Sequence, residues 1–367
     1  MKKISKQVVG ILLIFAVTLT SCRLGGRGDQ TPPLSTPEPA LADPTQAQQP
    51  PAPASLEPAP TSSEAAPSET EPSAEALDFV TGRNDYTIIV DDTPREFILY
   101  VPSGYDPSRP TPIVLMLHGS NQHPNNMYEN TSWVRKAEEE NIIVVFPASW
   151  QYPLLEGGGK EKWNTPSLTQ VALPGTEFKD DVHFIRVLLE YLKATVNVDE
   201  KRIFASGFSN GGGFVITRLL LEMNDVFAAF ATSGAGLLGE GSVDEITFTV
   251  NASLYNVIGT NDNKISEGQG IPLPFPIKAE DILNDPNFGG LLEKTTALLA
   301  LDMSYTVESE PDFTRFTFNN SLIGTDNEYI FMMVKGLFHE YPSGDNNRVG
   351  LDVADVFWAF FMKHPKP

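Results

Sequence analysis

Ser209, in Gly207-Phe208-Ser209-Asn210-Gly211, is the serine of this chain whose neighbours best suit it to act as a nucleophile. An apolar run precedes the pentapeptide and a helical pattern follows, which predicts a strand turning sharply into a helix. In so tight a turn the residues flanking the serine must be nearly free of side chain, hence glycine at 207 and 211. The serine alkoxide would form beside the first free N–H groups of that helix, at its positive dipole end. A serine hydroxyl is a poor nucleophile near neutral pH. A histidine must take its proton, and a carboxylate must hold that histidine in the right tautomer.

Five histidines are available. His118 ends an apolar run, His123 lies in a polar loop, His183 falls on a helical pattern and His364 is close to the C-terminus. His339 is the candidate base, in Gly336-Leu337-Phe338-His339-Glu340-Tyr341-Pro342, a loop that follows the last clear strand. The candidate acid is Asp262, in Ile258-Gly259-Thr260-Asn261-Asp262 on the loop leaving the preceding strand, ahead of Asp281, Asp285, Asp302 and Asp312, which lie farther into the connection. The order serine, acid, histidine is that of the α/β-hydrolase plan. Two backbone donors must also meet the tetrahedral intermediate, and the N–H groups of Asn210 and of Ser120, the latter after Leu117-His118-Gly119, are placed to do so.

The elements that must position these groups follow an α/β pattern. A hairpin is expected from 86–90 and 96–101 across Asp91-Asp92-Thr93-Pro94. Short apolar runs at 113–117, 142–146, 227–232, 254–258 and 328–334 read as strands, and the run before Ser209 as another. Helices are expected at 132–140, from Asp180 and Asp181 as caps to 194, at 212–223 and at 352–362, the last burying Val353, Val356, Phe357 and Phe360. Such alternation predicts a mainly parallel sheet with helices on both faces. The connection 263–327 is long, and Ile271-Pro272-Leu273-Pro274-Phe275-Pro276 within it would form either a lid over the site or a packed surface excursion.

Composition adds organisation. Lys2, Lys3 and Lys6 precede an apolar run at 8–19 and then Leu19-Thr20-Ser21-Cys22, which resembles a bacterial lipoprotein signal. That resemblance implies removal of 1–21, a lipid on Cys22 and attachment to a membrane. Residues 23–77 are rich in Pro, Ala, Ser, Thr and Glu and are expected to be a disordered tether, with the folded domain over 78–367. Cys22 is the only cysteine, so the domain has neither a disulfide nor a thiolate nucleophile or metal site. A net charge of -21 disfavours nucleic acid and suits a neutral substrate.

Tyr100-Val101-Pro102, Leu117-His118-Gly119, Phe146-Pro147, Trp163-Asn164, Asp181-Val182, Val198-Asp199-Glu200-Lys201-Arg202-Ile203, Gly207-Phe208-Ser209-Asn210-Gly211-Gly212, Gly259-Thr260-Asn261-Asp262 and Gly336-Leu337-Phe338-His339 together resemble the polyhydroxybutyrate depolymerase and feruloyl esterase group of α/β-hydrolases. The resemblance runs from 86 to the C-terminus. It implies a secreted carboxylic ester hydrolase without metal or organic cofactor, acting on polyesters or on acyl groups of plant polysaccharides, with Ser209, Asp262 and His339 as its triad. The chain departs from the group in lacking the cysteines that brace its site, in Tyr341 where tryptophan is usual, and in Ser120-Asn121-Gln122 where the loop is usually richer in glycine. Trp150, Trp163 and Tyr341 are candidates for contact with substrate, the tryptophans by stacking on a sugar or aromatic acyl group. A peptidase or lipase on the same fold, or a binding protein without turnover, are the competing readings.

Overall fold

A computed structural model describes residues 76–238 and 249–367. The leader at 1–21, Cys22 and the tether as far as 75 lie outside the described residues. The folded chain is engaged by Leu77, whose N–H donates to Thr195 Oγ1 at 3.0 Å, close to the expected boundary at 78.

The strands are β1 (Gly82–Val90), β2 (Thr93–Val101), β3 (Thr111–Leu117), β4 (Ile143–Pro147), β5 (Trp150–Pro153), β6 (Gly159–Lys162), β7 (Val198–Phe208), β8 (Ala229–Ser233), β9 (Leu254–Gly259), β10 (Thr306–Ser309), β11 (Phe313–Phe318) and β12 (Tyr329–Val334). Among the described residues β5 and β6 pair with each other, and the rest form one sheet in the order β1-β2-β4-β3-β7-β8-β9-β12-β11-β10. The central run from β4 to β12 is parallel, and both edges are antiparallel hairpins. The first hairpin turns in two residues rather than four. Asp91 and Asp92 both have positive φ (49° and 55°), which a two-residue turn of matching twist needs and aspartate tolerates, while Thr93 and Pro94 already pair with Val90 and Ile89.

β3 is buried along its whole length because both sheet faces are covered. Ile113, Leu115 and Leu117 share one apolar cluster with Phe184, Ile185 and Leu188 of the helix Asp181–Thr195. Val114 and Met116 point the other way, into a cluster with Trp133 of Trp133–Glu140 and Phe357 and Phe361 of Val353–Phe361. In that closing helix Val356 is only partly buried, and Trp358 and Phe361 join the buried face. Asp180 caps its helix by accepting from the N–H groups of Val182 and His183. Asp181 takes no part in the cap, because its side chain turns into the core and pairs with Arg95.

The long connection holds the helices Asn263–Gln269, Ala279–Asn284 and Pro286–Leu298, then the hairpin β10–β11, which extends the sheet beside β12. Ile271 and Phe275 are buried in the core, and the Phe275 N–H donates to the Thr260 carbonyl at 2.7 Å. Residues 271 and 275 thus anchor the segment to the core, while Leu273 between them is 42% exposed. The helix after Ser209 begins at Asn210, two residues earlier than expected, and passes through a π-helical turn, Val215–Leu219, before ending at Glu222.

Candidate active site

Ser209 stands where β7 breaks into that helix, with φ 53° and ψ -123°. This is a strained setting for a side chain, worth about 1–3 kcal/mol, and it is held by close backbone contacts on both sides. A Cβ on Gly207 would lie 2.6 Å from the Gly211 carbonyl, and one on Gly211 would lie 2.4 Å from the His118 carbonyl oxygen. Only glycine fits at either place, as the sharp turn requires.

The structure brings the three predicted residues together. His339 Nε2 lies 2.8 Å from Ser209 Oγ, and His339 Nδ1 lies 2.8 and 2.9 Å from the two carboxylate oxygens of Asp262. Asp262 is 1% exposed, and its Oδ1 also accepts the Ile265 N–H at 2.9 Å, capping the helix Asn263–Gln269. The two loops that carry acid and base are joined along their length. Thr260 N–H donates to the Val334 carbonyl, Asn261 N–H to the Leu337 carbonyl and Gly336 N–H to Thr260 Oγ1, at 2.8, 3.0 and 2.8 Å. This follows from the parallel pairing of β9 with β12, which ends with Gly259 opposite Val334.

On the other side of Ser209 lies the loop after β3. A Cβ on Gly119 would sit 3.1 Å from Ser209 Cβ, so this backbone passes directly over the nucleophile. Gln122 Oε1 takes the Gly119 N–H at 2.8 Å. Ser120 comes next, and Asn210 is the first residue of its helix, whose N–H lies outside the i→i−4 ladder. Asn210 is anchored by its side chain, Oδ1 accepting the Trp163 N–H at 2.7 Å. His118 is buried beneath the loop. Its Nε2 accepts the Ser149 N–H at 3.0 Å and its Nδ1–H donates to the Gly119 carbonyl at 2.8 Å, which requires the neutral ring. Burial pushes its pKa down to about 4.

Two of the three residues expected to touch substrate are placed otherwise. Trp163 is fully buried, stacked on Phe214 at 5.2 Å, with its Nε1–H donating to the His118 carbonyl at 2.9 Å. Tyr341 is buried too, its hydroxyl accepting the Trp133 Nε1–H at 2.8 Å. Both large aromatic residues brace the loops around the site instead of presenting a face to it. Trp150 is half-exposed and lines a cavity of about 420 Å³ together with His118, Gln122, His123, Gln151 and Glu161.

Two sets of contacts near the site were not expected from the sequence, one of them at Asp181, which was expected only as a helix cap. Arg95 and Asp181 form a buried ion pair at 2.7 Å; Asp181 also accepts the Asn164 N–H at 2.7 Å, and Arg95 lies over the Phe184 ring. The pair fixes Asn164, and with it the Trp163 N–H that holds Asn210. Lys162, at the end of β6, donates to Ser120 Oγ at 3.0 Å. The Trp163-Asn164 and Asp181-Val182 dipeptides were a signal for the first network, whereas nothing local marked Lys162 among the charged residues of its hairpin.

Residues 91–256 match the Esterase family. That span contains Ser120, Ser209 and Asn210 and ends before Asp262 and His339. A bifunctional acetylxylan esterase/xylanase of Neocallimastix patriciarum is 29% identical over 175 residues, covering 48% of this chain and 22% of that protein. Feruloyl esterase B of Piromyces equi is 29% identical over 180 residues, covering 48% of this chain and 31% of that protein. The chain thus spans less than a third of the length of these two relatives. The structure of an acetyl xylan esterase from Aspergillus awamori aligns over 76% of this chain and 99% of that one, with a TM-score of 0.50 and 15% identity, and shows the α/β-hydrolase fold.

Proposed function

We propose that this chain, an α/β-hydrolase related to the feruloyl and acetylxylan esterases, is a serine carboxylic ester hydrolase working through Ser209, His339 and Asp262. The proposal rests on the two-sided contact of His339, 2.8 Å from Ser209 Oγ at one nitrogen and 2.8 Å from the Asp262 carboxylate at the other. With Nδ1–H held by Asp262, Nε2 is the free base. It takes the Ser209 proton as Oγ bonds to the ester carbonyl carbon, and the carbonyl electron pair moves onto oxygen. The N–H groups of Asn210 and Ser120 receive that oxyanion; losing one such donor costs on the order of 3 kcal/mol in the barrier. Collapse expels the alcohol, which takes its proton from His339. Water then repeats the sequence on the acyl-serine and releases the acid.

The substrate class that the relatives' names support is an acyl ester carried on a polysaccharide, acetyl or feruloyl, with polyester as the other ester of this kind. A net charge of -21 favours neutral esters over polyanions and makes nucleic acid an unsuitable partner. The leader and Cys22 support export and a lipid anchor at the cell surface. The full chain should hydrolyse a short-chain aryl ester and be labelled by a fluorophosphonate, both lost in Ser209→Ala; turnover retained in that variant would sink the assignment. A panel of acetylated and feruloylated sugars, polyester, long-chain lipid and peptide identifies the acyl substrate. Loss of metabolic palmitate labelling in Cys22→Ser tests the anchor.

A further inference from the structure

The geometry points to a side-chain donor in the oxyanion site: we propose that the Ser120 hydroxyl hydrogen-bonds the oxyanion and that Lys162 aims it. This rests on the esterase reading above and adds to it, since the backbone N–H of Ser120 was the donor considered there.

Lys162 Nζ lies 3.0 Å from Ser120 Oγ. An ammonium can only donate, so the serine oxygen must be the acceptor and its one hydrogen must point away from Lys162. Among the described residues no protein group accepts that hydrogen. The preceding residue fixes where the hydroxyl stands. Gly119 packs against Ser209, with the 3.1 Å approach of its Cβ position to Ser209 Cβ, so Ser120 is one residue along the chain from that contact.

The lysine is itself held in place. It is the last residue of β6, and its neighbour Glu161 accepts the Asn121 N–H through its carbonyl at 2.8 Å. One backbone bond and one side-chain bond therefore clamp 120–121 onto the end of the β5–β6 hairpin. Lys162 is half-buried, and desolvation draws its pKa below the ordinary lysine value, with Glu156 and Lys160 acting on it in opposite directions. A partly desolvated cation that donates to a hydroxyl makes that hydroxyl a stronger donor in turn. The field also suits a negative charge that develops only in the transition state, in a chain whose overall charge opposes it.

The test is a kinetic cycle on a short aryl ester with the full chain: Ser120→Ala, Ser120→Thr, Lys162→Met, Lys162→Arg and the double variant S120A/K162M. Alanine keeps the backbone N–H and removes only the hydroxyl. We expect kcat to fall about 10- to 100-fold in Ser120→Ala with KM changed less than about threefold, and Ser120→Thr to keep most of it. Lys162→Met should lower kcat similarly, the double variant should be no worse than Ser120→Ala within about twofold, and Lys162→Arg should recover most of the rate. Wild-type kcat in Ser120→Ala overturns the proposal. So does a full, additive loss from Lys162→Met in the Ser120→Ala background, since the lysine would then act without the serine. Should Lys162→Met fail to fold, the alanine and threonine variants at 120 decide. If Ser209→Ala is inactive while Ser120→Ala is normal, only this inference fails; if Ser209→Ala stays active, the esterase reading fails with it.

Discussion

The backbone N–H of Trp163 donates to Asn210 Oδ1 at 2.7 Å, so the residue after the nucleophile is tied by its side chain to the loop leaving the β5–β6 hairpin. In the proposed mechanism position 210 carries two separable duties, an N–H for the oxyanion and a side chain that holds it still. Asn210→Ala should lower kcat about tenfold and cost about 1–3 kcal/mol of stability, because the Trp163 N–H is left without an acceptor. Asn210→Asp keeps an acceptor there and should melt near the wild type, yet its charge beside the developing oxyanion should still depress kcat. Ester kinetics and thermal melts on the two variants check this; equal stability loss in both would count against it.

Gly259 is the point where the acid strand passes under the histidine loop. A Cβ there would lie 2.1 Å from the Leu337 carbonyl oxygen, which is backbone and has no rotamer in which to retreat. Gly259→Ala should push the Asp262 and His339 loops apart. Expected are a stability loss of about 2 kcal/mol or more in urea and a fall in kcat far larger than any change in KM. A near-normal kcat would show that the loops can shift as one.

His118 makes stability depend on pH in a definite direction. Burial lowers its pKa from 6.5 to about 4, so between those values the unfolded chain binds a proton that the folded chain refuses. Stability should fall as pH drops through this window and level off below it, by on the order of 3 kcal/mol from this residue. His118→Gln should be less stable at neutral pH but flatter from pH 6.5 to 4. Urea midpoints across that range, compared between the two proteins, read the difference.

The Arg95–Asp181 pair has almost no solvent to screen it, with side chains 3% and 0% exposed. Removing one partner strands a buried charge, so Asp181→Ala should cost about 3–5 kcal/mol, and the double replacement Arg95→Met with Asp181→Leu less. Activity should fall with Asp181→Ala even at low temperature where the protein stays folded, because the Asn164 N–H loses its acceptor and the neighbouring Trp163 hold on Asn210 loosens. Unfolding curves and kcat at about 10 °C test the two halves.

What could be read from the residues divides along a physical line. Strands such as Ile143–Pro147 and Tyr329–Val334 are continuous apolar runs, because burial on both faces leaves no polar positions, and they were legible. β11 was not. In Phe313-Thr314-Arg315-Phe316-Thr317-Phe318 the phenylalanines fall on both parities, and its place is set by pairing with β12 far along the chain. The meeting of Ser209, Asp262 and His339 was legible because glycines, a turn and chain order mark each of them. The roles of Trp163 and Tyr341 were not, since a large aromatic residue near a site has the same letter whether it faces substrate or braces a loop; only the partners at Phe214 and Trp133 distinguish the two. Lys162 is hidden for the same reason, one charged residue among several in a short hairpin until Ser120 is seen beside it.

Asp262 holds His339 and, through the same oxygen, starts the helix Asn263–Gln269. A carboxylate moved to a neighbouring strand could in principle still reach the imidazole, but it would leave this helix without its cap. The position of the acid is thus locked by local architecture as well as by chemistry. In descendants of this chain that have abandoned catalysis, position 262 should still carry a short capping side chain, aspartate, asparagine, serine or threonine.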